Sequence, residues 1–280
     1  MDRINDGLNA REMYELIGLQ PEIIEKLEVI GDQVDLIQAE KYLDGMMNID
    51  TAQQSYRDLK AFFEEDTDQL KMLYCQLECA RRLFGRYEEK EIPKNIYVDT
   101  MRCFTRFIEE CREKNGRMFF DRGWWTYRQV SMNIFRIGAL EYQFKEYEGE
   151  KVIGLHIPSD ADLSGESVDA SFRQAELFFG TYYKEYEYSR YTCNSWLMAP
   201  ALSPLLSGGS NILSFQNRFD IIREDREDKE YIEWVFQVPA DTEYTDLPQR
   251  TSLQRKVREL LLQGGTVGSA FGIMDYEPYS

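Results

Sequence analysis

Apolar residues recur along the first part of the chain at helical spacing. Leu70, Leu73, Leu77, Ala80, Phe84 and Tyr87 form one stripe, and Met72, Cys75, Cys79 and Leu83 form a second on another face. A helix with two apolar faces is expected inside a bundle, packed on both sides. Thr51-Ala52-Gln53-Gln54 has capping-box form and precedes Tyr56, Leu59 and Phe63 at helical steps. Pro93 marks a further start, after which Tyr97, Met101, Phe104, Ile108 and Cys111 make another core-facing stripe that Gly116 can close. Residues 8 to about 115 therefore read as helices joined by short turns.

The pattern changes near Phe119. The aromatic-dense string Asp121-Arg122-Gly123-Trp124-Trp125-Thr126-Tyr127-Arg128 reads as a junction between two domains, 1–130 and 131–280. Beyond it, short β-type runs alternate with helices. Phe135–Phe144 and Lys151–Ile157 predict a hairpin around Glu146–Glu150. A helix capped by Ser164 follows, with Val168, Phe172, Ala175, Phe179 and Tyr182 on one face. Tyr191–Met198 predicts a strand and Pro200–Leu206 a short helix. Asn211–Ile222 and Tyr231–Val238 read as two strands separated by a charged turn at 223–230. Thr251-Ser252-Leu253-Gln254 opens a capped helix, Gly264-Gly265 closes it, and Val267–Met274 reads as the last strand. The expected class is α+β: a helical bundle, then a mixed sheet with flanking helices.

Length and composition fit this division. A chain of 280 residues exceeds the commonest domain size. With 18 Tyr, 16 Phe and 4 Trp there is ample material for packed cores, which argues against disorder. The formal charge of −17 repels phosphate backbones and anionic lipid, and attracts a cationic substrate such as an amine. The first six residues carry no apolar signal core, and no segment approaches 18 uninterrupted apolar residues, so neither secretion nor a membrane span is expected. Five cysteines, odd and sparse, suit a reducing compartment, and the cytoplasm is the expected location.

The predicted order strand, strand, helix, strand, helix, strand, strand is that of the GNAT core. Phe135-Arg136-Ile137-Gly138-Ala139-Leu140-Glu141-Tyr142, Leu155-His156-Ile157-Pro158, Cys193-Asn194-Ser195-Trp196-Leu197, Ser210-Asn211-Ile212 and Arg250-Thr251-Ser252-Leu253-Gln254-Arg255 occur in that sequence order. With these strings the chain resembles a bacterial family of N-acyltransferases in which a helical N-terminal domain precedes a GNAT-like C-terminal domain. The resemblance implies transfer of an acyl group from acyl-CoA, acetyl-CoA included, to an amine on a small molecule or peptide, without a metal. The alternative is a catalytically silent module that keeps the fold and binds a ligand or protein.

GNAT enzymes hold the CoA diphosphate on backbone N–H groups at a helix start, through a turn of the form Gln/Arg-x-x-Gly-x-Gly/Ala. That string is absent here. Two other helix starts could serve. Asp162-Leu163-Ser164-Gly165-Glu166 stands where the GNAT order puts the phosphate loop, but its carboxylates oppose phosphate. Arg250, Thr251, Ser252 and Arg255 bring two cations and two hydroxyls to a helix N-terminus, and are the candidate CoA contacts on chemistry.

His156, the sole histidine, is the candidate base for deprotonating an amine. Cys193 and Ser195 share one face of the next expected strand, because strand side chains alternate. If that strand adjoins the one carrying His156, a His–Cys or His–Ser pair becomes possible, and with it thiol-dependent hydrolysis. Glu141 and Arg136 on the preceding strand could add charge or simply pair across a strand edge. Cys75 and Cys79 lie one turn apart but lack a second Cys/His pair to complete a metal site, and core packing accounts for them. The acidic runs Glu64-Glu65-Asp66 and Glu224-Asp225 lack calcium-loop spacing. Trp124, Trp125 and Tyr127 suit an inter-domain core better than a ligand pocket.

Overall fold

The computed structural model describes residues 8–276. The chain divides into two compact units, one ending at Arg136 and the other beginning at Ile137.

The first unit is helical: α1 (Ala10–Leu16), α2 (Pro21–Gly31), α3 (Leu36–Met46), α4 (Ala52–Phe62), α5 (Leu70–Glu89), α6 (Lys94–Met101), α7 (Cys103–Asn115) and α8 (Gly123–Val130). The doubly apolar α5 packs against α2, α3, α6 and α8, and both its stripes are largely buried. The stripe from Tyr97 to Cys111 is buried too, although the helix breaks at Arg102. Gly116 ends α7 in the left-handed conformation. One local reading changes. Thr51 makes no cap bond; its hydroxyl donates to the carbonyl of Gly45 at 2.8 Å, because a tight turn brings α3 and α4 together there. The aromatic string at 121–128 forms α8 within this unit: Tyr127 stacks on Tyr56 and the Gln76 amide donates to the Gly123 carbonyl.

A six-stranded mixed sheet of order β1-β2-β3-β4-β6-β5 follows, its first strand spanning the division and the other five lying in the second unit. Its strands are β1 (Ile134–Ile137), β2 (Leu140–Tyr147), β3 (Glu150–His156), β4 (Arg190–Ser195), β5 (Asp220–Asp225) and β6 (Ser269–Asp275). The segment read as one strand over 135–144 is two, because Gly138, at φ +61°, turns the chain. The next turn, Glu148-Gly149, has positive φ at both residues, the geometry that joins tight hairpins. From it the β2–β3 register runs outward to Glu141 opposite His156. Helix α9 (Gly165–Tyr182) follows β3 and packs on β2, where Phe172 and Phe179 meet Tyr142 edge to face. The Ser171 hydroxyl donates to the Ile137 carbonyl and bonds the Tyr142 hydroxyl at 2.8 Å, so these two buried hydroxyls are paired.

Two expected strands are corrected. Asn211–Gln216 is helix α10, capped by Ser210, with β5 beginning only at Asp220. The run from Tyr231 is helix α11 (Glu230–Phe236), not a strand. Tyr231, Ile232, Val235 and Phe236 all face one apolar cluster, which is a helical repeat rather than an alternating one. That cluster also takes Leu202 from the 3-10 turn Pro200–Leu205 and Val257 and Leu261 from α12 (Ser252–Leu262).

Candidate functional site

The site is set by where the sheet stops pairing. Strand β3 runs parallel to β4 through Ile153–Tyr191, Gly154–Thr192 and Leu155–Cys193, and the ladder ends there. Each strand nevertheless keeps its outer partner: β3 stays on β2 to the His156–Glu141 pair, and β4 stays on β6 to Ser195–Ala270. The β3–β4 pairing thus ends beside His156. A ladder that ends inside a sheet leaves main-chain N–H and C=O groups on facing edges in need of partners.

Register also decides which side chains meet. Leu155 and Cys193 are partners and point to the face packed by α9, so His156, one residue on, points to the opposite face. Cys193 and His156 therefore do not pair. Cys193 is fully buried, and burial pushes its thiol up to about 12, the opposite of what a nucleophile needs. Ser195 is occupied as a turn cap, its hydroxyl accepting from the Leu197 N–H at 3.2 Å. The thiol and hydroxyl chemistry expected beside His156 thus has no geometry to support it.

His156 lies on a polar face. Across the strands at its level stand Glu141 on β2, Asn194 on β4, Phe271 on β6 and Arg223 on β5, from the pairs Glu141–His156, Asn194–Phe271 and Arg223–Phe271. Glu141 is buried, His156 half-buried and Asn194 exposed, so the face opens toward β4. The Arg223 guanidinium lies over the Phe271 ring at 5.5 Å, and Tyr147, at the far end of β2, meets the same ring at a tilt with centroids 5.0 Å apart. Those two contacts join side chains of β2, β5 and β6 across this face. One ring nitrogen of His156 is held by the sheet itself: Nε2 sits 2.8 Å from Oε1 of the buried Gln143 on β2. Arg136 lies on β1, and its backbone N–H donates to the Thr100 hydroxyl at 3.0 Å.

The two helix starts considered for phosphate differ in position and in state. Helix α9 begins nine residues after His156, directly off the strand that borders the break. Its capping residue Ser164 accepts from the Ser167 N–H, but its mouth already holds an anion. The Asp162 carboxylate accepts from the Ser164 N–H and the Ser164 hydroxyl, both at 2.9 Å, and from the Ser167 hydroxyl. Those bonds, Ser167's foremost, hold its carboxyl below the usual carboxylate range. The start of α12 is closed by its own capping box. Gln254 accepts from the Arg250 N–H at 2.7 Å and the Thr251 N–H at 3.2 Å, while the Thr251 hydroxyl accepts from the Gln254 N–H. Arg255 folds back on the carbonyls of Gln249 and Arg250. Ser252 is exposed, and α12 packs on α11 and on the 3-10 turns at 200–205 and 244–246. Among the described residues no cluster of His, Cys, Asp and Glu is arranged to hold a metal ion, and no helix is long and apolar enough to cross a membrane.

A parallel pair joined through a helix, within a mixed sheet of this order, is the frame against which the comparisons can be set. Residues 134–274 match the GNAT-like C-terminal domain, and residues 9–132 match the N-acyltransferase N-terminal domain. The chain belongs to this N-acyltransferase family. Solved structures share its fold over nearly the whole length. An acyltransferase in complex with decanoyl-CoA and teicoplanin is 19% identical, with a TM-score of 0.80 over 98% of this chain and 90% of that one. An acyltransferase mutant with octanoyl-CoA is 19% identical, with a TM-score of 0.81 over 96% and 88%. An acyltransferase with decanoyl-CoA is 21% identical, with a TM-score of 0.77 over the same shares. A comparison with curated proteins finds no match.

Within the family frame, the sequence missed one residue and the bonds of another. Gln143 escapes notice because its partner lies across a hairpin; Asp162 is legible as a carboxylate opposing phosphate at the helix start, but not its bonds to Ser164 and Ser167. The Glu148-Gly149 turn was the available signal for the first, since it fixes the register that sets Gln143 beside His156.

Proposed function

We propose that this protein transfers an acyl group from acyl-CoA to a primary amine, with His156 as the base. The observation that carries the reading is the break between β3 and β4 beside His156. Main-chain groups at that break can pair with the amides of the pantetheine arm and with the thioester carbonyl. His156 takes a proton from the ammonium, the amine lone pair attacks the carbonyl carbon, and negative charge gathers on the carbonyl oxygen. Main-chain N–H groups can stabilise that oxyanion. Collapse breaks the carbon–sulfur bond, the remaining surplus proton of the attacking nitrogen passes to the departing sulfur, and CoA leaves as the thiol.

For the CoA diphosphate we favour the mouth of α9 over Arg250, Thr251, Ser252 and Arg255. It follows β3 directly, and its donors already bind one anion, the Asp162 carboxylate, which must swing away. The acceptor is an amine on a small molecule or peptide. The net charge of −17 favours such a cation, and a structural neighbour was solved with teicoplanin as well as an acyl-CoA. Five free, buried thiols and a CoA donor suit a cytoplasmic enzyme. We take the helical and sheet units as separate domains.

Thermal shift with CoA and decanoyl-CoA, paired with an amine acylation assay on wild type and His156→Ala, tests the reading. Binding raises the melting temperature by mass action, and His156→Ala should keep the shift while losing turnover. No shift at millimolar CoA would sink the proposal. Binding without transfer to any amine would leave a catalytically silent ligand-binding module.

A further inference from the structure

We infer that Asn194 on β4 holds the acceptor amine, its side-chain carbonyl oxygen accepting a hydrogen bond from the ammonium. The inference rests on the reading that transfer takes place at the end of the β3–β4 ladder, and it adds a residue to that site. The last rung of the ladder is Leu155–Cys193, so the next level sets His156 and Asn194 at facing positions on the two strands. Leu155 and Cys193 point to the face packed by α9. The residues one step on point to the other, so His156 and Asn194 share the polar face. Asn194 is exposed near the end of β4, just before the turn that begins at Trp196. Cys193 is buried and Ser195 is committed to capping that turn. Among the described residues no hydrogen bond holds the Asn194 amide. It is the β4 side chain at this level that a ligand can reach.

The chemistry of the step assigns the oxygen of the amide rather than its NH2. Main-chain groups at the end of the ladder lie in the plane of the sheet, where they pair with the pantetheine amides and the thioester carbonyl. The amine must reach the carbonyl carbon from above that plane, on the face that carries His156 and Asn194. Adjacent strands lie about 4.8 Å apart, so a nitrogen between the two side chains is within hydrogen-bond reach of both. A primary ammonium has three N–H bonds. One proton goes to the base, one passes to the departing sulfur, and the third stays on nitrogen as the N–H of the product amide. Asn194 Oδ1 accepts from that third N–H, so the contact lasts from bound ammonium to product and no proton crosses it. It turns the nitrogen lone pair toward the carbonyl carbon.

Steady-state transfer from decanoyl-CoA to glycine amide, measured with the full-length protein, tests this. Asn194→Ala should lower kcat/KM for the amine roughly ten- to hundredfold, the worth of a hydrogen bond to a charged group, while KM for decanoyl-CoA changes less than about twofold. Asn194→Asp keeps the acceptor oxygen and loses the NH2. It should hold kcat/KM for the amine within about threefold of wild type, each protein being assayed on the plateau of its pH–rate profile. Because Asn194 is exposed, both variants should unfold at the wild-type urea midpoint. An Asn194→Asp protein as slow as Asn194→Ala would overturn the inference, since it would mean that the amide donates to the thioester oxygen. Equal losses toward amine and decanoyl-CoA would overturn it too, as they would mark a residue that only shapes the strand. Amine transfer untouched in Asn194→Ala condemns this inference alone. A wild type that binds decanoyl-CoA and never acylates glycine amide would overturn the enzymatic reading and this inference with it.

Discussion

The mouth of α9 offers the sharpest test of where CoA binds. Asp162 places a carboxylate against the Ser164 N–H and the hydroxyls of Ser164 and Ser167, which are the groups a diphosphate would use. Asp162→Asn removes the charge and keeps the size. Two unit charges about 5 Å apart in water repel enough to change an affinity by roughly fourfold, and a diphosphate brings about two such charges. Removing the repulsion should therefore tighten CoA about tenfold at low ionic strength, and less at 0.15 M salt as screening sets in. Isothermal titration with CoA at two salt concentrations measures this directly. Desulfo-pantetheine, which lacks the diphosphate, should bind both proteins alike. Arg250→Ala and Arg255→Ala should leave the affinity within about twofold, because Arg255 is folded onto its own helix start and that mouth is closed by Gln254. Unchanged affinity in Asp162→Asn, with a loss in Arg255→Ala, would refute the assignment to α9 and restore the α12 start.

Two further outcomes follow from burial and backbone shape. Cys193 should resist iodoacetamide at pH 7.5 in the native protein. Raising its pKa from 9 to about 12 lowers the thiolate fraction about a thousandfold, and full burial adds the cost of opening the sheet; modification within minutes, read by peptide mass spectrometry, would overturn this and revive the thiol chemistry. Gly268→Ala should destabilise the protein by about 2–4 kcal/mol in urea titration. At φ +70° an added Cβ would lie 2.3 Å from the Asp225 carbonyl oxygen and 3.0 Å from the Arg226 Cα, so the β5–β6 pairing at Ser269–Asp225 must shift; a change under 1 kcal/mol would contradict the packing described here.

How much was legible follows from the distance over which each feature is decided. The stripes of α5 and of α6 and α7 were readable because helical burial repeats within a few residues. The caps at Ser164 and Thr251 were readable for the same reason, each bond closing over three residues. Thr51 has the same local form and fails, because a carbonyl on the preceding helix competes for its hydroxyl. The run from Tyr231 is rich in aromatic and β-branched residues, so propensity favoured a strand. The apolar cluster formed by α12 and the turn at 200–205 selected a helix instead.

The site shows the same division more sharply. His156 was identifiable by type, and Cys193 was correctly set on the neighbouring strand, yet their pairing failed on a single step of register. In a strand one residue exchanges the two faces, so adjacency without register says nothing about contact. The β2–β3 hairpin had the missing information. Its two central residues both need positive φ, and counting outward from Glu148-Gly149 puts Glu141 opposite His156, with Gln143 diagonal to it on the same face. The β3–β4 break could not be reached in this way, since parallel strands are joined through a whole helix and no turn fixes their offset. That offset is set by how α9 packs its aromatic face on Tyr142 and Tyr191. The break beside His156 is thus a consequence of core packing on the opposite face of the sheet. A substitution at Phe172 should consequently alter acyl-CoA binding without touching any group on the polar face.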